Sequence, residues 1–165
     1  MNNDKPILFV MGVSGCGKST VGQLLATNLN LEFFDGDDYH PKENVQKMEK
    51  GNPLNDDDRQ GWLERLNVLA NENKEEGAVI ACSALKTTYR SLLQKGIVSD
   101  LHYIYLKGSF EEVSERLRQR KGHFMPAELL RSQFEALEVP KEAIVVSIAN
   151  TPEGIVSAIL KKLNL

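Results

Sequence analysis

A nine-residue stretch beginning at Gly12 limits most strongly what this chain can fold into. It reads GVSGCGKST and fills each fixed position of the pattern G-x-x-x-x-G-K-[ST]. The apolar run PILFVM precedes it, as a buried strand would, and the segment VGQLLA after it has apolar residues at helical spacing. A strand, a glycine-rich loop and a helix in this order form a cradle of backbone N–H groups for a polyphosphate.

The sequence therefore predicts that this loop binds a nucleotide. The expected contacts come from Gly12, Val13, Ser14, Gly15, Cys16, Gly17, Lys18, Ser19 and Thr20. Lys18 supplies a mobile positive charge for the β- and γ-phosphates, and Ser19 supplies a hydroxyl ligand for Mg²⁺. A glycine-rich helix entry with an exposed lysine is the structural alternative, and the complete motif with correct flanks favours nucleotide binding over it.

Length and composition favour one small domain over residues 1–165. A chain of 165 residues can bury a substantial core, and no linker-like tract divides it. The net charge of −3, with both signs interspersed, argues against binding to nucleic acid or to a membrane surface. No apolar run approaches the ~20 residues of a membrane span, and the first residues lack the features of a signal peptide. We therefore expect a cytoplasmic protein.

The two cysteines, Cys16 and Cys82, agree with a cytoplasmic location. Their number and positions suit a reducing compartment and give no zinc-site spacing. We expect both to be packed or loop thiols and not catalytic ones.

Short apolar segments alternate with helical patterns along the chain. The strand candidates are Ile7–Met11, Glu32–Phe34, Ala78–Cys82, Leu101–Leu106 and Ala143–Ser147. Helices are indicated by the apolar spacing in Asp56–Glu76, by a capping box at Ser109 and by the pair Thr151-Pro152. This alternation predicts an α/β fold, a three-layer doubly wound parallel sheet of five strands with its ligand at their carboxyl ends.

Acidic residues follow the second predicted strand. Asp35 and Asp37 stand in the segment DGDDYHP, directly after Phe34. Since strand ends joined by one helical crossover are commonly neighbours, we expect these carboxylates beside the phosphate loop. There they can assist Mg²⁺, bind substrate hydroxyls or take the proton of an attacking alcohol. A solvated acidic turn is the structural alternative, and the position at a strand end favours function.

Four motifs in this order resemble the gluconate kinases (gluconokinases). They are Asp35-Gly36-Asp37 with His40-Pro41, the stretch NPLNDDDR ending at Arg59 with Trp62-Leu63, the stretch ACSALK with Tyr89-Arg90, and Gly122-His123-Phe124-Met125. The resemblance implies a P-loop fold like that of the nucleoside-monophosphate and shikimate kinases, with a helical lid over approximately 116–138. It also implies ATP and Mg²⁺ as cofactors, D-gluconate as the substrate, 6-phospho-D-gluconate as the product, and a homodimer.

The resemblance assigns roles to three of these residues. Asp37 stands where related kinases place the carboxylate that binds substrate hydroxyls, and it is expected to orient or deprotonate the reacting hydroxyl. Asp35 is assigned to Mg²⁺ through water, because the third strand, VIAC, lacks the Asp that ends a standard Walker B strand. Arg59 matches the arginine that binds the substrate carboxylate, for which a guanidinium fork is well shaped. A surface ion pair with Asp56 or Asp57 is the alternative for Arg59.

Further side chains are candidates for the same site. Lys86 and Arg90 follow the third strand one turn apart, and each is expected either to reach the substrate or to be solvated. His40 is a candidate hydrogen-bond partner for a substrate hydroxyl, with a structural role in its loop as the alternative. In the predicted lid, Arg120 is the first candidate for a cation against the transferred phosphoryl group and Arg116 the second. At least one arginine of this segment is expected to cover an exposed helix face.

Three alternatives to a gluconate kinase stay open on the sequence. One is a kinase of the same fold for another small hydroxy acid or for a nucleotide. A GTPase-type switch is disfavoured, because the D-x-x-G of Asp58–Gly61 follows a polar stretch and the segment NKEE lacks the Asp of N-K-x-D. An ATP-binding regulator without turnover would leave the acidic segment and the basic lid without a purpose.

Overall fold

A five-stranded, all-parallel sheet forms the centre of the computed structural model, which describes residues 5–98, 100–120 and 126–165. The strands are β1 (Ile7–Met11), β2 (Glu32–Asp35), β3 (Ala78–Ala81), β4 (Leu101–Lys107) and β5 (Ile144–Ser147). Their order in the sheet is β2-β3-β1-β4-β5. The predicted fold class is confirmed, and each strand boundary lies within one residue of its predicted position.

Seven α-helices and one short 3₁₀ helix lie between or after the strands in the described ranges. The α-helices are α1 (Lys18–Leu29), α2 (Lys42–Glu49), α3 (Asp56–Glu72), α4 (Thr87–Gln94), α5 (Phe110–Gln119), α6 (Ala127–Ala136) and α7 (Pro152–Lys162). The 3₁₀ helix, Gly36–Tyr39, follows β2 directly. Within these ranges no helix has the length and apolar composition needed to cross a membrane.

The sheet order places helices on both faces. The connection through α1 runs from β1 to β2 at one edge, whereas the later connections run back towards β5. Because crossovers between parallel strands are right-handed, α1 lies on the face opposite to α3 and α4. α7 packs against α1, and α3 packs against α4. The carboxyl ends of all five strands therefore open towards one rim, which carries the site.

The core explains why the strands read as continuous apolar runs. Every residue of the central strand β1 is fully buried, since helices cover it on both sides. In α3, Trp62, Leu66 and Ala70 are buried as their spacing predicts, whereas Leu69 is only partly buried. This core fixes the strand ends from which the functional residues project.

The place of β3 in the sheet differs from the sequence-based expectation. The sequence predicts that β1 and β2 end side by side, and this is wrong because β3 lies between them. Gly36 permits the arrangement, since a Cβ atom there would clash with the carbonyl oxygen of Ala81 at the end of β3. Because β3 ends in the small residue Ala81, the acidic segment after β2 passes over the end of β3 to the phosphate loop.

Candidate active site

The phosphate loop, residues Gly12–Ser19, leaves the first turn of α1 open. Gly17 precedes the helix in the left-handed region, at φ 95°, which favours glycine. No side chain in the described part of the chain caps α1, whereas side chains of Asn55, Ser109 and Thr151 cap α3, α5 and α7. The uncapped N–H groups and the positive end of the helix dipole together form a site for a phosphate group.

A cavity of about 300 Å³ opens above this loop and is called here the nucleotide cavity. Its lining residues are Ser14, Gly15, Gly17, Lys18, Ser19, Thr20, Asp35, Asp37, Leu117 and Arg120. Lys18 Nζ donates to the carbonyl oxygen of Val13 at 3.0 Å, which holds the ammonium group over the loop. Six of the nine predicted loop residues and Arg120 thus border one space. Gly12, Val13 and Cys16 are buried instead, and Arg116 does not line this cavity.

Ser19 and Asp35, the two predicted metal ligands, are in direct contact. Ser19 Oγ donates to Asp35 Oδ2 at 2.8 Å. Asp35 Oδ1 accepts the backbone N–H of Asp37 at 3.0 Å, so the carboxylate is held from both sides. No group of three or more His, Cys, Asp and Glu side chains converges among the residues described. Two protein oxygens beside a phosphate cradle nevertheless fit Mg²⁺, which usually takes one or two protein ligands together with water and phosphate oxygens.

A second cavity of about 310 Å³ shares part of its lining with the first and is called here the acceptor cavity. It is lined by Ser14, Lys18, Asp37, His40, Val45, Met48, Leu54, Arg59, Trp62, Ser83 and Gln133. Ser14, Lys18 and Asp37 line both cavities. A ligand in the acceptor cavity would therefore meet the phosphates of a nucleotide at these three residues.

His40 is fixed in the wall of the acceptor cavity. Its imidazole ring stacks on the Trp62 indole at 4.0 Å between centroids and 17° between planes. Asn44 Nδ2 donates to the carbonyl oxygen of Asp58 at 2.8 Å and lies 3.3 Å from His40 Nδ1. A carbonyl only accepts, so the amide nitrogen of Asn44 faces both partners and His40 Nδ1 is the acceptor. The ring hydrogen is then on Nε2, which lies 3.9 Å from Asp37 Oδ1.

Burial keeps the His40 ring neutral. It lowers the pKa of the imidazole, an effect that the Asp37 carboxylate opposes and the Arg59 guanidinium reinforces. A neutral ring with its hydrogen on Nε2 donates into the cavity and takes no proton there. The geometry agrees with a hydrogen-bonding role and not with acid–base chemistry.

Arg59 belongs to the cavity and not to the protein surface. It is only 9% exposed, and its guanidinium donates to the Tyr89 hydroxyl at 2.8 Å. The same guanidinium lies 5.3 Å from the centroid of the Tyr89 ring. The Tyr89 hydroxyl in turn donates to Asp56, and this bond, with a second from Lys86, lowers the pKa of the Asp56 carboxyl. A surface ion pair, the alternative interpretation of Arg59, is not what the structure shows.

Lys86 and Arg90 are placed differently from one another. Lys86 Nζ pairs with Asp56 Oδ1 at 3.0 Å at the rim. Arg90 is buried and donates to the carbonyl oxygens of Ala84 at 2.6 Å and Glu138 at 2.9 Å. Neither residue is among the described residues that line the two cavities. Arg90 therefore joins α4 to the segment after α6, and it is not solvated.

Three arginines at the end of α5 have different surroundings. Arg116 lies beside Gly17 and donates to the carbonyl oxygen of Ile148, while Arg120 ends the helix and borders the nucleotide cavity. Both also line a shallow pocket over Gly15 and Thr20. Arg118 is 73% exposed and pairs with Glu115, so it covers the solvent face. The motif Gly122–Met125 lies outside the described residues, as does part of the predicted lid.

Several lining residues are absent from the sequence-based prediction. Gln133 of α6 contacts Ser14 through both ends of its amide group. Trp62 supports the acidic segment, since its Nε1–H donates to the carbonyl oxygen of Gly36 at 2.8 Å. Val45 and Met48 come from α2, whose pattern is too polar to stand out. The motif with Trp62 is a usable signal. The stretch QFEALE that begins at Gln133 also resembles the gluconokinases, but the sequence favours packing over contact for it and does not connect it with the loop.

The two thiols are not candidates for chemistry. Burial raises the pKa of Cys16 and raises that of Cys82 to about 12. Both side chains are fully or almost fully buried, as free cysteines. The expectation of packed thiols is confirmed.

Comparison with known proteins agrees with this geometry. The model of a family described as shikimate kinase matches residues 14–164. The chain is 44% identical to the thermoresistant gluconokinase of Escherichia coli over 97% of its own length and 94% of that protein. It is 47% identical to a probable gluconokinase of the mouse, with 95% of this chain and 97% of that protein covered. A crystal structure of a gluconokinase from Sinorhizobium meliloti superposes with a TM-score of 0.89 at 40% identity, covering 96% of this chain and 91% of the other.

Proposed function

This chain belongs to the shikimate kinase family and groups with the gluconokinases, and from that premise we propose that it phosphorylates D-gluconate with ATP. The products are 6-phospho-D-gluconate and ADP. The observation that carries the proposal is that Ser14, Lys18 and Asp37 border both cavities. Direct transfer between two bound substrates needs such a shared boundary, because the reacting atoms must lie within about 3–3.5 Å of one another.

The proposed reaction is an in-line phosphoryl transfer. The oxygen of the primary hydroxyl of gluconate attacks the γ-phosphorus of ATP, and the bond from that phosphorus to the β–γ bridging oxygen breaks. Lys18 and the open N–H groups of α1 hold the phosphate charge, and ADP leaves with the bridging oxygen. Asp37 orients the hydroxyl and receives its proton, which then passes to solvent.

We assign Mg²⁺ to Ser19 and Asp35. A bound ion would neutralise part of the charge on the phosphate oxygens. Because Ser19 turns its hydroxyl hydrogen towards Asp35, the lone pairs of its oxygen are free for the ion. Asp35 contributes through water, and its bond to the N–H of Asp37 ties the metal side of the site to the residue that orients the hydroxyl.

We assign the acceptor cavity to gluconate. Arg59 binds the carboxylate of gluconate. Its guanidinium group is buried and is held by a hydrogen bond to Tyr89, and its fork of N–H donors fits a carboxylate. His40 Nε2–H donates to a hydroxyl along the chain of the sugar acid. Val45, Met48, Leu54 and Trp62 form an apolar side that faces the carbon backbone.

We also propose nucleotide contacts from two arginines, a cytoplasmic location and a homodimer. Arg120 is the first candidate to contact the transferred phosphoryl group and Arg116 is the second, within a lid of approximately residues 116–138. A cytoplasmic location accords with the two free cysteines. A homodimer rests on the resemblance to the family, and light scattering on a sizing column tests it.

A GTPase-type switch has no support in the site. Asp58 of the D-x-x-G segment lies in the first turn of α3 and closes a capping box with Asn55. It also pairs with Lys47 at 2.6 Å. Its carboxylate is thus engaged in holding α2 and α3 together.

An ADP-release assay with a panel of acceptors tests the proposal. We expect release that depends on D-gluconate, with little or none from shikimate, other sugar acids or nucleoside monophosphates. Lys18→Met should lower kcat roughly 100-fold, and Asp37→Asn should lower kcat with nearly unchanged ATP binding. Release that does not depend on gluconate overturns the substrate assignment, and an unchanged kcat for Asp37→Asn removes Asp37 from the chemistry.

A further inference from the structure

Gln133 of α6 is bonded to the phosphate loop at Ser14, 119 residues earlier in the chain. Its Oε1 accepts the backbone N–H of Ser14 at 2.7 Å, and its Nε2 donates to Ser14 Oγ at 3.0 Å. The side chain is held in a buried position, since the residue is only 8% exposed. One amide group thus binds both polar groups that Ser14 presents on this side.

The direction of these bonds follows from their chemistry. A backbone N–H only donates, so the oxygen of the Gln133 amide must face it, and the NH₂ group must face Ser14 Oγ. The Ser14 hydroxyl is therefore an acceptor towards Gln133, and its own hydrogen is left for a third partner. No acceptor for that hydrogen is found in the described part of the chain.

Ser14 lies at the boundary where the two proposed substrates meet. Ser14 borders the nucleotide cavity and the acceptor cavity, as do Lys18 and Asp37. Its backbone N–H, by contrast, is already bonded to Gln133 and is not available to a phosphate. At this position the loop offers the side-chain hydroxyl as its donor in place of the backbone.

We infer that Gln133 is a positioning residue that makes the Ser14 hydroxyl a fixed donor to the phosphoryl group in transit. The inference rests on the proposed transfer to gluconate and adds two residues to it. Such a donor is oriented before the reaction starts. It stabilises the negative charge on the phosphoryl group during transfer, and the protein does not have to reorganise, so the activation barrier is lower.

Substitution of Gln133 by Glu reverses the polarity at Ser14 with almost no change in shape. One carboxylate oxygen still accepts the Ser14 N–H, but the other now accepts the Ser14 hydroxyl hydrogen and withdraws it from the boundary between the cavities. We expect kcat with ATP and gluconate to fall roughly 10- to 100-fold. Ser14→Ala should cause a fall of similar size, since it removes the same donor.

The double variant separates this role from the added charge. In the Ser14→Ala background, Gln133→Glu should change kcat by less than about threefold, because the donor that it would misdirect is gone. Gln133→Met, which carries no charge, should also lower kcat in the otherwise unchanged protein, because the Ser14 hydroxyl is then no longer held by the amide. Gln23→Glu, an exposed position on α1, is the matched charge control and should leave kcat unchanged. Thermal unfolding of each variant establishes that it is folded in the assay.

The outcomes distinguish the inference from the function on which it rests. Suppose that the protein phosphorylates gluconate and that the double variant lowers kcat by the product of the two single effects. The two residues then act independently, which overturns the inference and leaves the proposed function standing. A wild-type protein that releases no ADP with gluconate overturns the proposed function and the inference with it. A strong coupling between the two positions in kcat supports both.

Discussion

The hydroxyl of Ser19 donates to the carboxylate of Asp35 at 2.8 Å, across the end of β3, which lies between β1 and β2 in the sheet. Ser19 lies in the first turn of α1, which follows β1 and the phosphate loop, and Asp35 ends β2. The contact joins the phosphate loop to the acidic segment, and it supplies the carboxylate that β3 lacks at its own end. The metal assignment is therefore tied to a specific pair of atoms.

Asp35→Asn should raise the Mg²⁺ concentration needed for half-maximal kcat. We expect an increase of roughly 10-fold or more, because the amide removes the negative charge that attracts the ion and has one acceptor oxygen for the two bonds that the carboxylate accepts. A titration of kcat against Mg²⁺ at saturating substrates measures the change. Asp38→Asn, at an exposed position three residues further along, is the control and should leave the titration unchanged. An unchanged Mg²⁺ requirement for Asp35→Asn would remove Asp35 from the metal site.

The pKa of His40 should make the protein less stable in mild acid. Because the folded-state pKa is lowered, the unfolded chain binds a proton more readily than the folded protein does. The free energy of unfolding should thus be at its full value above about pH 6.5 and should fall as the pH decreases through the folded-state pKa. Urea unfolding of the wild type and of His40→Gln between pH 5 and pH 8 measures this term.

The same experiment has a direct spectroscopic counterpart. Nitrogen chemical shifts of the imidazole should show the hydrogen on Nε2 at neutral pH and a titration of His40 below the usual range. His102→Gln, near the surface and paired with Asp100, serves as the control. A His40 that titrates above pH 6.5, or that carries its hydrogen on Nδ1, contradicts the assigned hydrogen bond from Asn44.

Arg59→Ala should raise the KM for gluconate roughly 10- to 100-fold, the effect of losing charge-assisted hydrogen bonds to a carboxylate. The KM for ATP should change little, since Arg59 does not border the nucleotide cavity among the residues described. Arg65→Ala is the matched control on α3, where the arginine lies over the Tyr39 ring outside the acceptor cavity. A change confined to the KM for ATP assigns Arg59 to the nucleotide instead.

Arg90→Ala should lower stability more than substrate affinity. The substitution leaves the carbonyl oxygens of Ala84 and Glu138 without their partner, at a cost of about 1–3 kcal/mol. Thermal unfolding measures the loss, with the exposed Arg118→Ala as the comparison. A higher KM for gluconate at unchanged stability would return Arg90 to the substrate side.

The local parts of the fold could be predicted from the sequence because their signals are local. The strand ends, the capping box at Ser109 and the proline after Thr151 each follow from a few adjacent residues. The insertion of β3 between β1 and β2 could not be predicted, because a crossover that skips one strand leaves the same pattern along the chain as one that does not.

The site could be predicted only in part, because some of its contacts join residues that are far apart along the chain. Motifs in the sequence identify the carboxylates and the phosphate loop. A parallel sheet places both at the same edge, where all its strands end. Arg90 looked equivalent to Lys86 along the helix, but its partner Glu138 is 48 residues away. Gln133 is more distant still from Ser14. Contacts of this kind depend on how α6 packs beside the loop, and that packing is a property of the folded chain.

The ³¹P NMR spectrum of the protein incubated with MgATP and D-gluconate tests the central claim most directly. A phosphate ester on a primary carbon couples to two protons, so the claim predicts a new phosphomonoester triplet that grows with ADP in a one-to-one ratio. Lys18→Met should slow the growth of this triplet roughly 100-fold. A spectrum that shows ADP and inorganic phosphate without the triplet would contradict phosphoryl transfer to gluconate.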